Sequence, residues 1–568
     1  MTKVTIEING KKYSAEKGES ILQVAIRNNI EIPHFCHHED LSTDANCRTC
    51  LVQKEGDDNV MTSCTLKAEE GLKVKTDTPK VKRLRRENME LLLAKYEKNA
   101  PLCKAGHFSK TLELMKKYGV KGDKYQRDEV CPLHKMGNAA EFDPSICIAC
   151  NKCVEICEKI GINFLKLEGK NSRTRVTYNK DPKIDCIYCG QCTAHCPVAA
   201  VREQGHIDAV EKVLKDPNKI VIVQTAPSVR ASIGEEFGVE IGVDLTEKLA
   251  TAYRMMGFDH VFDVNMGADI TTMVEAQELV ERLEKNEDLP MFTSCCPGWV
   301  KFLEFYHPEL IPHLTTARSP QIHSGGAYKT WWAEREGIDP SKIVVVSTMP
   351  CTSKKYEASF DKLKIDGLKP VDYVLTTREL AVMLKDRKID LPNLKPSKID
   401  KEGTYSGAAA IYGASGGVME SALRTAYFLL TAKELDPIEF RPVRGMEGIK
   451  KATVKIGKRK LKLGVVATAK YAREVIYELK SDPTAYDYIE FMACPGGCIG
   501  GGGQPIPSTE RIVEQRIKGI YKIDHNMKMR CAHENPVVQE FMAYVKRLPE
   551  HKKQEILYTS FSQKKKFE

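Results

Sequence analysis

Hydrophobic positions change rhythm twice along the chain. Val4 to Ile8 alternates apolar with polar, Asn9-Gly10 is a strong two-residue turn signal, and Lys11 to Ala15 returns as a partner strand. Ser20 stands where an N-cap precedes Ile21, Leu22, Val24 and Ala25, which share one face of a short helix. From about Lys219 the rhythm becomes that of buried strands separated by helical stretches: Ile220 to Val223, Met291 to Phe292, Ile343 to Val346, Leu463 to Val466 and Tyr488 to Phe491. Ligands of such sheets bind beyond the carboxyl ends of the strands. The segments Thr225 to Ser228, TSCC, MPC and ACPGGC each lie at such an end, which predicts that Cys296, Cys351, Cys494 and Cys498 converge on one covered cleft.

A length of 568 residues with 42% hydrophobic content exceeds one compact domain. The twenty cysteines accompany an N-terminus without an apolar signal core and a chain without a long apolar span, so metal-bound thiolates in a cytoplasmic, reducing setting are expected. The formal charge of +9 counts those cysteines as neutral; at about two negative charges per loaded cluster it gives no footprint for nucleic acid, and no membrane contact is expected. The tail Lys564 to Lys566 reads as a solvated terminus.

Cys36, Cys47, Cys50 and Cys64 combine one close pair with two distant thiols, which suits a two-iron cluster wrapped by a loop and resembles the plant-type module fused to complex I and hydrogenase subunits. His37 and His38 are expected to be solvated. Cys147, Cys150, Cys153 and Cys157 follow C-x2-C-x2-C-x3-C, and Cys186, Cys189, Cys192 and Cys196 repeat it. In a two-cluster bacterial ferredoxin the fourth cysteine of each run serves the other cluster, so Cys147, Cys150 and Cys153 pair with Cys196, and Cys186, Cys189 and Cys192 with Cys157.

With its three cysteine segments the chain closely resembles iron-iron hydrogenases of the modular clostridial kind. The resemblance implies an α+β and α/β multidomain protein: a β-grasp two-iron module over 1–80, a linker subdomain over 81–142, a two-cluster ferredoxin over 143–210, and a large α/β catalytic domain over 218–568 with parallel sheets flanking the active-site cluster. It implies one [2Fe-2S], two accessory [4Fe-4S], and a cubane on Cys296, Cys351, Cys494 and Cys498, with Cys498 bridging to a di-iron unit that carries carbon monoxide, cyanide and a dithiolate amine. Glycines between Gly496 and Gly503 admit the backbone to that cluster. Lys354 corresponds to the lysine that donates to one cyanide, Pro227 and Ser228 to contacts of the other, and Met349 and Met492 to apolar walls, while Gln504 and Ser319 belong at most to the polar edge. Cys295 corresponds to the terminal proton relay, followed outward by Glu275, Glu278 and Arg282, with Thr315 in place of the family's serine.

The family's histidine-and-cysteine accessory site is expected to be lost, with Tyr96, Ala100 and Ser109 at ligand positions and only Cys103 remaining; the favoured reading is free side chains on a linker, with a rearranged metal site of His107, Cys131 and His134 as the alternative. The implied reaction is reversible combination of two protons and two electrons to H2. Ferredoxin or a similar redox protein would exchange the electrons, and maturation proteins would insert the di-iron unit. A hydrogen sensor of the same fold and a non-catalytic iron–sulfur carrier are the rival readings.

Overall fold

The computed structural model describes residues 2–93, 110–121, 133–169, 174–456 and 459–567. At the N-terminus the alternating strands Lys3–Ile8 and Lys11–Glu16 form an antiparallel hairpin, with Asn9 (φ 51°) and Gly10 (φ 82°) supplying the two positive φ angles of the tight turn. Lys73–Lys75, Leu51–Lys54 and Val60–Thr62 complete a five-stranded sheet. Helix Ile21–Arg27 is held by the reciprocal capping box of Ser20 and Gln23, and buries Ile21, Leu22, Val24 and Ala25 against Val4, Ile6 and Ile8. Helix Pro79–Leu93 follows, and its buried Arg85 donates to the Leu51 carbonyl at 2.5 Å.

The two cysteine runs repeat each other in conformation as well as in sequence. Ala149 and Tyr188 are left-handed, as are Asn151 and Gly190 two residues later, and each run then enters a helix, Lys152–Lys159 or Gln191–Ala194. The expected division at 142/143 does not coincide with a structural break: strand Ala140–Phe142 pairs with Val201–Glu203 as well as with His134–Met136, so one small sheet crosses it. Backbone pairing between segments some sixty residues apart leaves no sign in local composition.

In the C-terminal part every expected strand forms, in two four-stranded sheets. His260–Asp263, Ile220–Thr225, Ile343–Met349 and Tyr373–Thr376 are parallel throughout. The second sheet has the order Met291–Phe292, Tyr488–Met492, Arg459–Ala467, Ile449–Ile456, and it departs from the expected parallel arrangement because its last pair is antiparallel. From Lys451 to Ile456 exposed Lys451, Thr453 and Lys455 alternate with Ala452, Val454 and Ile456, the pattern of an edge strand with one wet face.

The lysine tail is docked. Lys564 N–H donates to the Glu304 carbonyl at 3.0 Å, and Lys566 Nζ to the Asn179 carbonyl at 2.8 Å. The expectation of a solvated terminus fails because the chain end fills the seam between the ferredoxin and catalytic parts, where Lys301 and Asp185 form a buried ion pair at 3.0 Å.

Candidate functional site

Strand Met291–Phe292 leads to Cys296, Ile343–Met349 to Cys351, and Tyr488–Met492 to Cys494 and Cys498. The four thiols meet between the two sheets. Cys494 is raised far above the ordinary thiol range by burial, then by charge on Cys189, Cys351, Cys296 and Cys498; Cys498 is raised by burial, Cys296 and Cys351; and Cys351 is pushed up to about 11 by burial and Cys296. Such a set cannot ionise together without cations among the sulfurs, and four thiolates are the donor set of an iron–sulfur cubane. The glycine-rich loop closes tightly over it. A Cβ on Gly502 would lie 2.4 Å from the Gly190 carbonyl carbon, so backbone meets backbone there without side chains.

Beside the thiols lies a largely apolar cleft lined by Pro227, Ser228, Met349, Met492, Lys354, Cys295, Cys351 and Cys498, together with Val264, Ala268, Pro320, Gln321 and Tyr412. Ser228 Oγ and Gln321 Oε1 are buried without a hydrogen-bond partner among the described residues. The Ser228 O–H, orphaned at the edge of an apolar space, can donate to an acceptor group of a bound inorganic unit, whereas Gln321 Oε1 can only accept and would need a donor. Lys354 Nζ donates at 2.9 Å to the Cys295 carbonyl and at 2.9 Å to Glu357 Oε2. Burial opposes its charge, but Glu357 beside it keeps its pKa above the ordinary lysine value. Gln504 and Ser319 are not in this cleft: Gln504 Oε1 accepts from Ser232 and Thr377, both at 2.8 Å, and Ser319 lines a separate cleft near Tyr356.

Helix Val264–Lys285 carries both glutamates, but they occupy different environments. Glu275 is fully buried rather than on an exposed face, and burial pushes its pKa up to about 8. Tyr488 Oη donates to its Oε1 at 2.6 Å, and Oε2 has no partner among the described residues. Cys295 lines the cleft with Lys354 and Cys498, and its thiol is raised far above the ordinary range by burial and then by the charge of Glu275. Glu278 is half-buried and accepts from Arg282 Nη2 at 2.6 Å, Thr315 Oγ1 at 2.7 Å and the Thr316 N–H at 3.0 Å. Thus Arg282, Glu278 and Thr315 form an outer group, with Glu275 and Cys295 further in. Sequence reasoning missed Tyr488, Tyr412 and Glu357. Tyr488 carried a usable signal, since a tyrosine in a fully buried strand needs a partner for its hydroxyl.

The accessory thiols also assemble. Cys47 N–H lies 3.4 Å from Cys36 Sγ, and each of the pairs Cys36–Cys47 and Cys50–Cys64 shares a hydrogen bond that lowers one thiol and raises the other. Cys150 and Cys153 are each raised by burial and then by neighbours that include Cys147 and Cys196; Cys189 and Cys192 are raised by burial and by Cys186 and Cys157. The fourth cysteine of each run therefore sits with the other run. Backbone amides reach these sulfurs in matched pairs, Ala149 to Cys147 and Tyr188 to Cys186 at 3.4 Å, Phe164 to Cys157 at 3.3 Å and Val201 to Cys196 at 3.4 Å.

The modules are coupled through direct contacts. Cys494 Sγ lies 4.0 Å from the Cys189 carbonyl, while Gln191 Nε2 and Thr193 Oγ1 donate to the Gly500 and Gly502 carbonyls at 2.8 and 2.7 Å. On the other side Asn46 Nδ2 donates to the Ala149 carbonyl at 2.7 Å. His38 is not solvated: it is 9% exposed, its ring centroid is 4.5 Å from that of His195, and burial lowers its pKa to about 4. His134 stands on an exposed strand with its ring against Phe142. Cys103, His107, Cys131, Tyr96, Ala100 and Ser109 lie outside the described residues.

A four-thiol pocket opening on a largely apolar cleft and joined by direct contacts to two ferredoxin-like modules defines a multi-centre iron–sulfur oxidoreductase. Residues 219–502 match the family described as iron only hydrogenase large subunit, C-terminal domain, and 510–564 the iron hydrogenase small subunit; 1–79 match a 2Fe-2S iron-sulfur cluster binding domain and 146–200 a 4Fe-4S dicluster domain. Iron hydrogenase 1 of Clostridium pasteurianum is 40% identical over 98% of this chain and 99% of its own. The NADP-reducing hydrogenase subunit HndD of Solidesulfovibrio fructosivorans is 40% identical over 95% of each chain. Among solved structures, [FeFe]-hydrogenase HydA1 from Chlamydomonas reinhardtii, variant E141Q, is 36% identical, with a TM-score of 0.57 over 63% of this chain and 99% of that one. The chain belongs to the iron hydrogenase family.

Proposed function

We propose that this hydrogenase interconverts H2 with protons and electrons at the cleft bounded by Cys295, Lys354, Met349, Met492, Pro227 and Ser228. The observation that carries this reading is the meeting of Cys296, Cys351, Cys494 and Cys498 beside that cleft, with Cys494 Sγ 4.0 Å from the Cys189 carbonyl of the ferredoxin part. Cys296, Cys351, Cys494 and Cys498 would hold a four-iron cubane, and Cys498 would bridge to a di-iron unit. When bound, these groups supply the electrons and the open coordination at which H2 is made or split.

The chain's own residues position, insulate and move protons. Lys354 offers a buried ammonium to an anionic ligand, with Glu357 and Gln321 holding it in place. Met349, Met492 and Pro227 keep water out. Cys295 Sγ holds the innermost proton, and Glu275, with a carboxyl that titrates near neutral pH, passes it to or from Thr315 and Glu278. Sixteen thiols, Cys36, Cys47, Cys50 and Cys64, Cys147, Cys150, Cys153 and Cys196, Cys157, Cys186, Cys189 and Cys192, and the pocket set, would bind one [2Fe-2S], two accessory [4Fe-4S] and the active-site cluster.

Among the described residues no helix is long and apolar enough to cross a membrane. We assign the protein to the cytoplasm on the reducing conditions that thiolate clusters favour. Ferredoxin or a similar one-electron protein would dock near an accessory cluster, and maturation proteins would deliver the di-iron unit. Infrared spectroscopy of the matured protein tests the reading: bands of metal-bound carbon monoxide and cyanide together with dye-linked H2 turnover are expected. Bands with negligible turnover would favour a sensor, and absence of bands after maturation would refute the assignment.

A further inference from the structure

One group of ligating side chains lies away from the clusters and takes no part in the chemistry above. Helix Gly417–Thr431 ends in Ala432, whose φ of 53° turns the chain and brings Glu434 beside the short turn Ala532–Glu534. There Cys531 Sγ lies 3.4 Å from Glu434 Oε2, and His533 Nε2 lies 2.9 Å from Glu434 Oε1. The three donor atoms all fall within 4.8 Å of one another. Cys531 is 1% exposed and His533 9%, whereas half of the Glu434 side chain faces solvent.

The two buried donors are held in place by further contacts. His533 Nδ1 is 3.4 Å from Thr425 Oγ1, and the ring stacks on Phe428 at 4.1 Å and 8°, so Nε2 is turned toward the other two ligands. Support of the distal imidazole nitrogen by a hydroxyl or carbonyl is the usual outer arrangement of a metal-bound histidine. The N–H groups of Arg530 and Cys531 both donate to Glu534 Oε2 at 3.0 Å, which fixes the loop that presents the thiol. The end of helix Gly417–Thr431 also contributes the negative pole of its dipole to this corner.

We propose that Glu434, Cys531 and His533 form a zinc site, separate from the iron clusters, that pins the C-terminal segment to helix Gly417–Thr431. One thiolate, one imidazole and one carboxylate make a borderline-soft donor set suited to zinc, and the solvent-facing side leaves a fourth position for water. Tetrahedral zinc with bonds of about 2.0–2.3 Å needs its donors roughly 3.3–3.6 Å apart; the 3.4 Å from Cys531 Sγ to Glu434 Oε2 already falls in that range, and the 2.9 Å from His533 Nε2 to Glu434 Oε1 needs only a small opening. On binding, the zinc–sulfur bond replaces the S–H bond of Cys531 and its proton goes to solvent, the imidazole proton of His533 passes from Nε2 to Nδ1, which faces the Thr425 hydroxyl, so that Nε2 can bind zinc, and no electron moves. Burial and the neighbouring carboxylate keep that thiol protonated without a cation, and a dication reverses the balance. The pinned loop reaches the helix that carries Glu275, because Asn535 Nδ2 donates to Asp269 Oδ2 at 2.8 Å.

The test is zinc analysis and zinc-edge X-ray absorption on the iron-loaded protein after exposure to zinc chloride and desalting; the edge does not register iron. Roughly one zinc per chain is expected, with a single sulfur near 2.3 Å and the remaining ligands nitrogen or oxygen. Cys531→Ser should remove the sulfur and loosen zinc at least tenfold, and Glu434→Gln, at a solvent-facing position, should loosen it comparably while iron content stays unchanged. Failure to retain zinc, zinc in an all-sulfur environment, or zinc indifferent to both substitutions would overturn the proposal.

Discussion

Glu275→Gln separates proton transfer from structure at the inner glutamate. The amide matches the carboxyl in shape, its oxygen can keep the 2.6 Å hydrogen bond from Tyr488, and its nitrogen takes the place of an oxygen that has no partner among the described residues. What it loses is the exchangeable proton, and a positioned acid–base group contributes about 10²- to 10⁴-fold to rate. Dye-linked H2 turnover should therefore fall by at least about 100-fold, with cofactor infrared bands in place. Stability provides a second reading. The carboxyl rises from an ordinary 4.5 to about 8 on folding, so the folded state keeps a proton that the unfolded chain releases, and wild-type stability falls as pH climbs between those values. Glutamine is neutral throughout and escapes that loss. At about 1.4 kcal/mol per pH unit, the variant should gain roughly 3–4 kcal/mol on wild type between pH 5 and pH 8. Trp299, Trp331 and Trp332 are the only tryptophans and all lie in the catalytic part, so their fluorescence follows its unfolding. Near-normal turnover, or a stability gap that ignores pH, would refute the reasoning.

Cys295→Ala should leave the carbon monoxide and cyanide bands intact and nearly abolish turnover; unchanged activity removes the thiol from the relay. Thr315→Val deletes the hydroxyl that donates to Glu278, and turnover should drop about tenfold or more, while Thr315→Ser should retain or exceed the wild-type rate. Lys354→Met strands Glu357 in the interior, so thermal melting should report a loss of about 3–5 kcal/mol, and the cyanide bands should shift or vanish. Gly502→Ala forces a methyl against the Gly190 backbone, which should cost about 1–3 kcal/mol and slow electron entry, read as lower dye-linked turnover with unchanged bands.

The sequence by itself determined the elements whose physics is local. Asn9-Gly10, the Ser20 cap and the doubled cysteine spacing act within a few residues, and the apolar runs before Cys296, Cys351 and Cys494 set strand ends at which ligands gather. Parallel pairing of Met291–Phe292 with Tyr488–Met492 puts Cys296, Cys494 and Cys498 at the same end of one sheet, whereas Cys351 follows a strand of the other sheet and only tertiary packing brings it to them. Tertiary structure decided which of two glutamates three residues apart is buried, because that depends on what packs against their helix, chiefly helices Pro320–Ala327 and Gly417–Thr431. It also gave Glu275 the hydroxyl of Tyr488, more than two hundred residues away, placed His38 against His195, drew strand Ala140–Phe142 across the expected boundary, and docked the lysine tail in a seam. Spacing along a chain fixes what neighbours can reach, whereas burial and long-range partners are set only when distant surfaces close on each other, and there the charge state of Glu275 and the surroundings of Cys295 are fixed.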